Sequence, residues 1–109
     1  MGDVLNPEQS LADIQNALND ARKERETATR AFEKAKASYW MKLVARRGAG
    51  EKLTNRDMEA LLEIAISEDD CVSTFYLKWV EAESNYYDKK STCDIAEKNY
   101  WDSKGHHAA

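Results

Sequence analysis

The sequence predicts an all-α protein: an antiparallel, coiled-coil-like hairpin of two helices that dimerises into a helical bundle. Three observations carry this expectation. Two long stretches repeat apolar residues at alternating spacings of three and four, the period of a helix with one buried stripe. A third of the residues are charged, and all four glycines (2, 48, 50 and 105) and the single proline lie outside the interiors of those stretches, a composition suited to long solvated helices. The charges of the two stretches are opposite. Residues 22–47 hold nine Lys/Arg and three Glu, whereas residues 55–80 hold six acids and two bases.

The first helix is expected over about 7–47. Asn6 reads as its N-cap, Pro7 suits its first position, and Gln9 stands where a capping box needs it. Leu11, Ile14, Leu18, Ala21, Arg25, Ala28, Phe32, Ala35 and Tyr39 form the seam. An alanine line at 17, 21, 28, 31 and 35 lets another helix approach closely. Arg46 and Arg47 complement the negative end of the helix before Gly48-Ala49-Gly50 stops it. The turn is expected at 48–53.

The second helix is expected over about 54–104, opened by a Thr54/Asp57 capping box. Met58, Leu61, Ala65, Val72, Phe75, Trp79, Ala82, Tyr86, Cys93, Ala96 and Tyr100 carry its seam. Ser67-Glu68-Asp69-Asp70 also resembles a helix N-terminus, so a break at 67–70, giving three helices, is the alternative. Folding the chain about Gly50-Glu51 sets residue i opposite about 102 − i. The alanine line then faces Phe75 and Trp79, and Val4, Leu5 and Leu11 fall near Tyr100, Trp101 and Cys93. Residues 105–109 are expected to be a frayed tail.

Length allows one domain over 1–109. A net charge of −4 and a pI near 5.2 argue against general attraction to nucleic acid or membrane surfaces. No apolar run reaches the roughly 18–20 residues of a membrane span, and the N-terminus lacks a signal-peptide pattern. The expectation is a soluble, cytoplasmic protein. Cys71 and Cys93, 22 positions apart on one expected helix, lie too far apart to bridge and read as reduced thiols.

The residues also exclude most chemistry. Glu68, Asp69 and Asp70 are consecutive and so point in different directions on a helix; Glu59 and Glu63 share a face but have no histidine beside them. His106 and His107 sit in the tail. Gly48-Ala49-Gly50 lacks the Lys-Ser/Thr of a phosphate loop. No nucleophile–base pair is presented on a concave scaffold. Neither an enzyme nor a metal or other cofactor is expected. In size and shape the chain resembles the small secreted Trp-x-Gly hairpin proteins, but its turn has no Trp, and Tyr86 and Tyr87 are followed four residues later by Lys90 and Ser91, not by an acid.

What remains is surface. Seven aromatics of the second helix fall into two stripes about 100° apart: Phe75, Trp79, Tyr86 and Tyr100 on one, Tyr76, Tyr87 and Trp101 on the other. A single neighbour covers the first. The second, extended by Trp40, Leu62 and Ile66, is the expected partner-binding surface. The function implied is that of a non-enzymatic interaction module docking a helical face on another protein or on a second copy of itself, as an inhibitor, adaptor or assembly chaperone. By size alone, a phage-encoded inhibitor fits. The alternative is a nucleic-acid-binding track along Arg22, Lys23, Arg25, Arg30, Lys34, Arg46 and Arg47, weakened by the interleaved Glu24, Glu26 and Glu33.

Overall fold

The computed structural model describes residues 7–105, which form three α-helices and no strand: α1 Pro7–Gly48, α2 Asn55–Glu68 and α3 Asp70–Ser103. Helix α1 starts at Pro7, whose fixed φ and missing N–H cost nothing in a first turn. It ends where Gly50 takes φ +106°, a conformation in which a side chain would be strained. The reversal that follows satisfies the last carbonyls of the helix. Gly50 N–H donates to Arg47 O at 3.1 Å and Glu51 N–H to Arg46 O at 3.1 Å, the paired bonds of a Schellman cap. The same turn is clasped from outside by Arg46, whose Nε and Nη2 donate to the two Glu51 carboxylate oxygens at 3.1 and 2.5 Å. The Asn6 cap, the packing of Val4 and Leu5, and the tail with His106 and His107 fall outside the described residues.

Helix α2 opens with the expected capping box. Thr54 Oγ1 accepts from Asp57 N–H at 3.1 Å, and Asp57 Oδ2 accepts from Thr54 N–H at 3.0 Å. The Thr54 N–H, and secondly the Thr54 side chain, hold the Asp57 carboxyl below its ordinary value, because hydrogen bonding to a carboxylate favours its ionised form.

The expected second helix is interrupted at Asp69, and the three-helix alternative is the one observed. Asp69 adopts an extended conformation (φ −81°, ψ 122°) and serves both neighbours. Its N–H donates to Ala65 O at 2.9 Å, closing α2. Its Oδ1 accepts from the N–H groups of Cys71 and Val72, both at 3.0 Å, capping α3. Ser67, read from sequence as the restart, stays inside α2 and donates its hydroxyl to Ile64 O. The acid two residues later is the better cap because its charge also suits the positive end of α3.

Packing gathers the chain into two units, one built by the chain up to Arg25 with the chain from Ala82, the other by Glu26–Glu81. In the first, Ala21 and Cys93 are buried, and Gln15 Nε2 reaches Glu97 Oε2 at 3.2 Å. In the second, Phe32, Leu43, Met58, Ala65 and Val72 are buried. Phe32, Ala65 and Val72 form a cluster, with Tyr39, Ile66, Phe75, Tyr76 and Trp79 packed against it. The Phe32 ring lies 5.6 Å from Trp79 in a stacked arrangement and 5.5 Å from Tyr76 in a tilted one.

The expected register holds beside the turn and slips with distance from it. Arg47 meets Asn55 at 2.8 Å, as folding about Gly50-Glu51 requires. Phe32 should then face residue 70; it clusters with Ala65 and Val72, which bracket that position, while its ring partners Tyr76 and Trp79 lie six and nine positions further along. Arg25 should face residue 77 and instead binds Glu83, six further. Between the matching pair and the slipped ones lies Asp69, where the helical course of α2 is abandoned. Trp79 stacks on Phe32.

Candidate interaction surface

Seven large apolar side chains are exposed among the described residues: Met41, Ile64, Leu77, Val80, Tyr87, Ile95 and Trp101. Scattered exposed apolar residues are normal for any protein; a concentration on one face is informative. In the first unit the three are Tyr87, Ile95 and Trp101, at 55%, 59% and 53% exposure. At about 100° per residue they fall within roughly a third of the circumference of α3. Ser91, Asp94 and Lys98 lie in the same arc, so the apolar groups alternate with polar ones. Each aromatic is braced by its neighbour in sequence: Tyr87 against Tyr86 at 5.3 Å and Trp101 against Tyr100 at 5.3 Å, both edge to face. Bracing of this kind fixes a ring while leaving its surface available.

The six residues expected to form a partner surface divide. Tyr87 and Trp101 are exposed. Tyr76 and Ile66 are half-buried against the Phe32 cluster in the second unit, and Trp40 and Leu62 are half-buried as well. Ile95 was not among the expected residues, nor were Met41, Ile64, Leu77 and Val80. The signal for Ile95 was available: it follows Tyr87 by eight positions, two turns of the same face. On α3 the expected stripe rests on aromatics only, and Ile95 is not one.

The basic stretch is largely engaged within the chain. Arg25 Nε donates to Glu83 Oε1 at 2.7 Å, and its guanidinium lies over the rings of Tyr86 and Tyr87, 4.5 and 5.5 Å from their centroids. The hydrogen bond to Glu83, and secondarily its charge, raise the Arg25 pKa against an opposing effect of desolvation. The seam therefore accommodates a cation where the periodicity placed one, by surrounding it with an acid and two π faces. Arg46 is held by Glu51, which raises the arginine pKa and lowers that of the acid. Arg47 binds Asn55, and Arg22 donates to Asn19 Oδ1 on its own helix. Lys23, Arg30 and Lys34 are exposed.

Both cysteines are free. Cys71 is exposed and Cys93 buried; burial, and then the charges of Glu97 and Asp94, push the Cys93 thiol up. No group of three or more His, Cys, Asp or Glu side chains is placed to hold a metal ion among the described residues. No described helix is long and apolar enough to cross a membrane. No protein-family model, curated protein or solved structure matches this chain.

Proposed function

We propose that this protein is a non-enzymatic interaction module, an antiparallel coiled-coil-like hairpin that acts by docking a helical face on a protein partner, a second copy of itself included. The observation that carries the reading is the exposure of Tyr87, Ile95 and Trp101 in one arc of α3. Aromatic side chains with few rotatable bonds are the usual anchors of protein interfaces, each removing roughly 150–250 Å² from water when covered. The hairpin is supported by the cross-helix pairs. Gln15 with Glu97 and Arg25 with Glu83 pair rising positions on α1 with falling ones on α3. The engagement of Arg25, Arg46 and Arg47 by groups of the same chain weakens the nucleic-acid alternative, since a phosphate backbone would have to displace those partners.

The test is the pair Tyr87→Ser with Trp101→Ser, measured by light scattering across a concentration series and by pull-down from the native host. If a second copy covers the face, the parent is a dimer and the variant a monomer of unchanged helicity. If another protein covers it, the oligomeric state stays and a partner retained by the parent is lost. A variant indistinguishable from the parent in both measurements refutes the docking role of this face.

A further inference from the structure

The break at Asp69 does more than divide two helices. Beside it, wholly within the second unit, lies a pocket of about 410 Å³, inside the range of small-molecule sites. Val72 and Phe75 of α3 and Ala31 and Ala35 of α1 give it apolar walls. Val72 is only 2% exposed, so the pocket reaches the buried cluster. The small alanine side chains leave the space open, and no α2 residue is in the lining.

The polar groups around that space are unequal. Lys34 and Lys42 line it from α1, and neither has an ion pair or hydrogen bond among the described residues, in contrast to Lys36, which is paired with Glu33 at 3.1 Å. Asp69 is the one acid in the lining, and its Oδ1 is committed to the N–H groups of Cys71 and Val72. With two ammonium groups against one carboxylate, the recess is net positive as well as apolar, which is complementary to a molecule with an apolar body and a negative head. We infer that the pocket beside Asp69 binds a small anionic amphiphile, a medium-chain or aromatic carboxylate. Its body lies against Val72 and Phe75, and its carboxylate accepts hydrogen bonds from Lys34 or Lys42. This inference stands apart from the docking face of α3 and uses none of its residues.

Cys71 supplies the readout. It lines the pocket and is exposed, whereas Cys93 is buried, so alkylation by iodoacetamide reports on Cys71 with Cys93 as internal reference. Decanoate, below its micelle threshold, should slow alkylation of Cys71 saturably. Decanol, with the same body and no charge, should need up to about fivefold more for the same effect, as one exposed ion pair allows. Lys34→Gln with Lys42→Gln should abolish the difference between the two probes. Ala35→Phe should fill the recess and remove protection by both, with helicity by circular dichroism verifying the fold of each variant. Equal protection by decanoate and decanol in the parent overturns the inference, as does decanoate protection that survives Ala35→Phe. Protection of Cys71 without any probe, released on dilution, would assign the pocket to a contact between copies and overturn it too.

Discussion

Phe32→Ala is the sharpest test of the packing. The ring is 6% exposed, belongs to the cluster with Ala65 and Val72, and is flanked by Trp79 and Tyr76 at 5.6 and 5.5 Å. Lys36 Nζ lies 4.5 Å from its centroid. Truncating a buried phenylalanine costs about 3–5 kcal/mol in lost transfer energy and residual cavity. The aromatic pairs, at about 0.5–1.5 kcal/mol each, place this site toward the upper end of that range. Against a total stability on the order of 5–15 kcal/mol for a small domain, this is a large fraction. Taking about 4–8 °C per kcal/mol, thermal melting followed at 222 nm should show a loss of about 15–40 °C. Near-UV circular dichroism should also lose the contribution of the stacked Trp79. Phe32→Leu, which keeps much of the volume, should cost clearly less, and Trp79→Ala, at a half-buried position, should fall below Phe32→Ala. A Phe32→Ala midpoint within a few degrees of the parent would mean that Phe32 is not the centre of the cluster and that the slipped register is wrong.

Three further outcomes follow from the caps and thiols. Asp69→Ala should cost about 1–2 kcal/mol by leaving the Cys71 and Val72 N–H groups without their acceptor, measurable by urea denaturation; Asp69→Asn should recover most of it. Asp57 and Glu51 are both held below their ordinary carboxyl values by Thr54 and Arg46 respectively. Their contribution to stability is therefore complete above the unfolded-state values, near 3.8 and 4.5, and is lost as pH falls through the lower folded ones. Melting temperature should decline on that acidic side, with a shallower slope in Asp57→Asn/Glu51→Gln; an unchanged slope refutes the assignment. Finally, Cys71 should react quickly with a thiol reagent and Cys93 slowly. Mild oxidation should give no intramolecular bridge between these two positions of α3, and a monomer lighter by two hydrogens would contradict the continuity of that helix.

Local chemistry made much of this legible in the sequence. Pro7, the glycines around Ala49, and the Thr54/Asp57 pair mark helix ends because each acts on backbone groups within a few residues. The interruption near Asp69 was legible as one of two alternatives, since acids at a helix start and acids on a solvated helix face look alike until an extended residue is seen between them. Register was not legible. Counting outward from a turn assumes that both arms stay helical without interruption, and the break at Asp69 removes that assumption for every position beyond it. The docking face was legible in Tyr87 and Trp101. Tyr76 and Ile66 could not be separated from it by periodicity, because whether a flank of a helix is covered depends on what the facing residue is, and here that residue is Phe32.

Asp69 also sets how the chain tolerates length changes. A turn such as 49–54 can take an added residue at small entropic cost, since the helices on either side need only reach each other. At Asp69 there is no such slack: one residue ends α2 and begins α3. Adding or deleting a single position there advances or retards the facing positions of α3 by about 100°, turning Val72 and Cys93 out and polar residues in. Homologous chains should therefore vary in length at the turn and be invariant in length between Ala65 and Val72. The spacing between those two buried residues acts as a phase lock on everything that follows it.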